Sequence, residues 1–188
     1  YTLHFDILLD ELNCYLLGGY LPLFAMYLAA LTMHIAPYNL QLATILWFVA
    51  LGIHIALIIS LYYSHFKQHN WHLILANWCI PPIGIIAIGL AAPSSINPLI
   101  KQYIYLFGDI MVIPVTVAIL WRQIKLPYTS TEKYAMGIHA APFSLVVLAL
   151  LNDHSLPISA AQLMPMYYLN LAFNILAGIR LILCLRNK

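Results

Sequence analysis

Long apolar runs alternate with short polar ones along the whole chain, and the apolar runs set the architecture. Six of them reach the length of a bilayer span, at 16–35, 40–63, 73–92, 100–121, 134–151 and 158–185. A helix needs about 20 mostly apolar residues, at ~1.5 Å each, to cross the hydrocarbon core. The pattern therefore predicts six transmembrane helices. The connections between them are APYN (36–39), SHFKQHNWH (64–72), PSSINPL (93–99), RQIKLPYTSTEK (122–133) and NDHSLP (152–157). They are short, polar and rich in Pro, Asn and Ser, as turns between antiparallel neighbours are.

Composition agrees and excludes whole classes. Of 188 residues, 63% are hydrophobic and 7% charged, where a soluble domain carries roughly a quarter charged residues. Too little charge is present to cover a water-facing surface, so the solvent is mostly the lipid bilayer. The net charge of +2, with basic residues clustered only at the C-terminus, gives no electrostatic footprint for nucleic acid. Cys14, Cys79 and Cys184 are odd in number and far apart. That fits neither a disulfide framework nor a metal knuckle, and apolar filling is expected of them. The opening YTLHFDILLDELNCY has no basic segment leading into an apolar core and is not read as a secretory signal.

Charge also orients the spans. With six crossings, the N-terminus, the second and fourth connections and the C-terminus share one side, which holds Lys67, Arg122, Lys125, Lys133, Arg180, Arg186 and Lys188. The other side holds Lys101 alone. The positive-inside rule then predicts that both ends of the chain are cytoplasmic. Trp71 and Trp121 suit the interfacial belts, whereas Trp47 and Trp78 lie deeper, where facing protein is the alternative.

Every span except the second carries proline at or near membrane depth: Pro22, the pair Pro81 and Pro82, Pro114, Pro142 and Pro165. Each removes a backbone donor and bends its helix, which lipid tolerates only where protein or a wet cavity takes up the freed backbone. The odd spans add stripes of small residues. These are Gly18, Pro22, Ala25 and Ala29 in the first, Gly84, Ala87 and Ala91 in the third, and Gly137, Ala140, Ala141 and Ser144 around Pro142 in the fifth. Such stripes serve either close helix packing or clearance for solute along an axis. On the second use, the pore-lining residues are Pro22, Ala25, Ala29, Pro81, Pro82, Gly84, Ala87, Pro142 and Ser144.

Ionisable residues within the spans are few. Asp109 is the single deep acid, with His54 and His139 the deep imidazoles and His34 near a span end. An intramembrane acid is costly and points to function, so Asp109, with His139, is the candidate for proton coupling. A structural hydrogen bond to backbone near Pro114 or to a tyrosine is the other use of Asp109. A haem held by His54 and His139 would need the two rings to face each other, and a hydrogen-bonded core histidine is the commoner role. No metal site and no cofactor are expected. Ser144 and His139 are five residues apart on one helix, and neither GxSxG nor HExxH occurs, so no enzyme is expected.

Two segments carry a resemblance. ANWCIPPIGIIAIGLAAPS (76–94), with Trp78, Pro81, Pro82 and Gly84, and YAMGIHAAPFSLVVLAL (134–150), with Ala140, Ala141, Pro142 and Ser144, resemble the tellurite-resistance/dicarboxylate transporter family. That family includes bacterial tellurite-resistance proteins, fungal malate and sulfite transporters and the slow anion channels of plant guard cells. LGGYLPLFAMYLAALTMHIAP (17–37) is similar to the family's third helix with its preceding connection. The resemblance implies a bundle of about ten helices in five hairpins around a central pore, of which the six spans would be helices three to eight. The chain is thus expected to be a fragment of a longer protein. The family's pore-occluding phenylalanine belongs to the ninth helix and has no counterpart among the six spans. A homotrimer with one pore per subunit, in the inner membrane of a bacterial cell, is also implied.

The functional expectation is transport of small anions through a pore lined by proline-kinked helices. The anions are C4-dicarboxylates such as malate, or sulfite, chloride and tellurite-related species. An uncharged pore guides anions by weak dipoles and basic mouths, which keeps binding weak enough for conduction. The alternatives are a proton-coupled carrier using Asp109, and a non-transporting membrane scaffold or truncated copy.

Overall fold

The computed structural model describes residues 18–67, 74–125 and 141–152, together with scattered helical positions between 164 and 182. The described residues are helical, with no strand among them. A 3₁₀ turn at Gly18–Tyr20 leads into α1 (Pro22–Ile35), followed by α2 (Leu40–Lys67). A second 3₁₀ turn, Ala76–Cys79, leads into α3 (Ile80–Leu90), and then come α4 (Pro98–Lys125) and α5 (Ala141–Asn152).

The helix ends follow from local chemistry. Pro22, the Pro81–Pro82 pair and Pro98 all sit in first turns, where the missing N–H costs no intrahelical bond and φ is already set. Asn39 caps α2, its Oδ1 accepting from the Leu42 N–H at 2.9 Å, as capping residues do. Asn97 does the same for α4 through the Leu99 N–H at 2.9 Å.

Three segments among the described residues are long and apolar enough to cross a membrane, Gly18–Ile35, Leu40–Ser64 and Pro98–Arg122. The all-helical, membrane-spanning class is therefore present. α2 continues through Lys67 and α4 through Lys125, so the connections expected to begin at 64 and 122 begin later. The expected third span is not one continuous helix. Its α-helical part is 11 residues, about 16 Å at ~1.5 Å per residue, and it follows a 3₁₀ turn because two adjacent prolines fit a first turn and not a helix interior. In the fifth span only α5 is described, and most of the sixth lies outside the described residues.

This short helix is the hub. α3 packs against α1, α2, α4 and α5, and Ile80 through Ile86 are all buried. A helix apolar on every side belongs in such a place. The outer helices turn large apolar side chains outward instead, with Tyr27 74%, Ile59 63% and Ile113 66% exposed. That is the distribution expected where the surrounding solvent is hydrocarbon.

Glycine permits the close approaches. A Cβ on Gly108 of α4 would meet the Ile86 side chain and come within 3.3 Å of the Pro82 carbonyl, and one on Gly89 of α3 would lie 2.7 Å from the Tyr105 ring. The Trp47 ring is fully buried and Trp78 is 6% exposed, so both deep tryptophans face protein. Trp121 is exposed and stacks under the Lys125 ammonium at 5.1 Å. Cys79 is buried with its Sγ 3.9 Å from the Thr116 hydroxyl, a filling role with one weak polar contact. Cys14 and Cys184 lie outside the described residues.

Candidate functional site

Polar side chains inside the bundle are few, and those of α1 and α2 are spent on the backbone of the hub and its neighbour. His54 of α2 is fully buried between α1 and α3. Its Nε2 lies 2.8 Å from the Pro81 carbonyl and its Nδ1 3.3 Å from the Pro22 carbonyl. The shorter contact is the N–H donation expected of a neutral ring, which carries one donor. Gly84 makes room for this ring, since a Cβ there would lie 2.7 Å from Nε2. At the other end of α3, Trp47 Nε1 donates to the Ile88 carbonyl at 2.8 Å. Thr32 Oγ1 donates to the Ala29 carbonyl at 2.6 Å and lies 3.3 Å from that of Ala91.

The small-residue stripe of α1 takes the packing use. Ala25 and Ala29 are at 0% exposure, and Pro22, Pro81 and Pro82 are equally enclosed. Gly84 lies against His54 and Met26. These six expected lining residues stand in helix contacts.

A cavity of about 360 Å³ lies beside them. Its walls come from α1 (Leu23, Met26, Tyr27, Ala30, Met33), α3 (Ala87, Leu90, Ala91) and α5 (Leu145). The face of α1 turned to it is the one next to the small stripe, at helical spacing 23, 26, 27, 30 and 33. Ala87 is the expected lining residue that the structure puts on this wall. Ser144, on α5, is exposed. Pro142 lies in the first turn of α5, and the surroundings of its side chain, like the whole of His139, fall outside the described residues.

A second cavity of about 470 Å³ is bounded by Tyr62 of α2, Ile74 and Trp78, and Met111, Pro114, Val115 and Ala118 of α4. Tyr62 donates to the Trp78 carbonyl at 3.4 Å and its ring lies 5.6 Å from the Trp78 ring. Asp109 is half-buried on the opposite flank of α4 from Met111 and Ala118 by helical spacing. Its Oδ1 is buried with no hydrogen-bond partner among the described residues. Neither structural bond expected of Asp109, to backbone near Pro114 or to a tyrosine, is made by that oxygen. No group of three His, Cys, Asp or Glu side chains stands together among the described residues.

Sequence reasoning missed the two-carbonyl contact of His54, the Met26–Tyr27 face and the Trp47 bond to α3. The depth of Trp47 in its span was the available signal for the last. Comparison of the chain with family models, curated proteins and solved structures finds no match to any of them.

Proposed function

We propose that the protein moves small anions across a membrane, as a channel or uniporter, along a path through the cavity between α1, α3 and α5. The observation that carries this reading is which helices bound that cavity. They belong to the first, third and fifth spans, the three in which proline and small-residue stripes coincide, and they offer the solute a wall without charge. Weak, uncharged surroundings suit passage better than capture. The likeness of 76–94 and 134–150 to the tellurite-resistance/dicarboxylate transporter family supports the same substrate class, with malate, sulfite and chloride as probes. On this reading the chain lies in a bacterial inner membrane with residue 1 on the cytoplasmic side, in a homotrimer and as part of a longer bundle. The test is flux of radiolabelled malate and of chloride into proteoliposomes carrying the purified chain, against protein-free vesicles; equal rates in both preparations remove the proposal.

A second reading, proton-coupled transport through Asp109, is favoured by one observation. A carboxylate oxygen buried without a partner is costly, and uptake of a proton removes that cost. His139, its expected companion, lies outside the described residues.

A further inference from the structure

The negative end of α3 stands at one end of the cavity. Leu90 and Ala91, the last residue of α3 and the one after it, are on the wall, and the final carbonyls of a helix carry about half a negative charge between them. An anion entering from this side would meet that end first. Side chains from three neighbouring helices reach carbonyls at or just past this end, Trp47 to Ile88 within α3, and Thr32 to Ala91 and Lys101 to Ala92 in the two residues that follow it. Only the last brings a full charge.

Lys101 lies in the first turn of α4, half-buried, with Nζ 3.3 Å from the Ala92 carbonyl. A cation is a poor choice for the first turn of its own helix, where the dipole is positive. It is a good one for the end of α3, and the side chain reaches there. No carboxylate among the described residues pairs with it. Asp109, two turns further along α4, is the single acid in 18–67, 74–125 and 141–152. Among the described residues His34, exposed in the last turn of α1, is the other basic group at this end.

We propose that Lys101 is the anion-attracting residue at this mouth of the cavity, reversing the sign of the potential that the end of α3 would otherwise present. The proposal deepens the anion-transport reading and rests on it. A single cation held near, and not inside, an apolar path raises the local anion concentration without forming a trap. A dianion feels the charge twice as strongly as a monoanion. Malate at neutral pH should therefore depend on Lys101 more than chloride does.

The experiment is initial-rate flux of malate and of chloride in proteoliposomes for the full chain, Lys101→Gln and Lys101→Arg, at low and high ionic strength. For Lys101→Gln the half-saturating malate concentration is expected to rise about two- to fivefold at low salt. The maximal rate should stay unchanged, the effect on chloride should be smaller, and high salt should weaken the difference. Lys101→Arg, which keeps the charge, should restore the wild-type value. Wild-type flux with an unchanged half-saturation point in Lys101→Gln overturns the role of Lys101 and leaves the transport reading standing. Absence of wild-type flux for both anions overturns both. A loss of maximal rate shared by Gln and Arg, with half-saturation unmoved, marks Lys101 as a structural cap and overturns the proposal as well.

Discussion

The indole Nε1 of Trp47 donates to the Ile88 carbonyl at 2.8 Å across the α2–α3 interface. Within α3 this carbonyl would ordinarily accept from the Ala92 N–H, but that group turns to the Gly89 carbonyl at 3.2 Å as the helix tightens. Trp47 thus supplies the donor that the helix end withholds. Trp47→Phe keeps most of the packing and leaves Ile88 without that partner in an apolar interior. A loss of about 1 kcal/mol is expected, read as a shifted midpoint in denaturant unfolding from mixed micelles. An unchanged midpoint would mean that the Ile88 carbonyl finds another donor.

The contact between Gly84 and His54 predicts a specific coupling. A methyl group at 84 would lie 2.7 Å from Nε2, closer than packed atoms tolerate. Gly84→Ala should therefore cost about 1–3 kcal/mol, the range for overpacking. His54→Ala removes the obstruction, so the double variant should be less destabilised than the two single changes summed. Strict additivity in a double-mutant cycle on the same unfolding assay would show that the ring does not limit the space over Gly84.

Much of this fold is written in the hydrophobic pattern, because a bilayer imposes one length on every spanning helix. The starts of α2 and α4 near 40 and 98, and the ends of their apolar stretches near 64 and 122, are legible for that reason, while the last turns to Lys67 and Lys125 are not. The fate of 73–92 is not, since hydropathy measures composition and cannot tell a continuous helix from a 3₁₀ turn followed by 11 residues of α-helix. Pro81 and Pro82 carry that information, and their meaning is positional: in a first turn they start a helix, in an interior they bend it. The helices that border the cavity are those of the first, third and fifth spans, but which face of each borders it is not legible from spacing. Small residues at helical spacing mark a face that something approaches closely. Whether the approaching group is a helix or a solute depends on neighbours, and for Ala25 and Ala29 it is a helix.

The cavity makes a size prediction for transport. Ala87 is on its wall, while Ala56 is exposed on α2 and away from it. Ala87→Phe adds a ring to a space of about 360 Å³ and should lower malate and chloride flux severalfold with the half-saturation point little changed. Ala56→Phe adds the same volume toward lipid and should leave flux near wild type. The comparison controls for insertion and yield because both variants gain the same side chain. Equal losses at the two positions, in vesicles with matched protein content, would detach the path from this cavity.

On the proposed transport function, replacement of Asp109 distinguishes an uncoupled from a proton-coupled route. This residue sits on the flank of α4 turned away from the second cavity, half-buried, with one carboxylate oxygen lacking a partner among the described residues. A buried acid in such a place is either an inert cost or a group that changes protonation as the protein works. Asp109→Asn is nearly isosteric and cannot exchange a proton, so it separates the two without reshaping the helix. If the acid couples a proton, a gradient acid outside should drive malate uptake in wild type, and the Asn variant should retain downhill flux while losing that acceleration. The measurement is uptake under an imposed pH gradient with the membrane potential clamped, compared with uptake at equal pH on both sides. If both proteins respond to the gradient alike, Asp109 takes no part in coupling, and the channel or uniporter reading is the one its other neighbours must then account for.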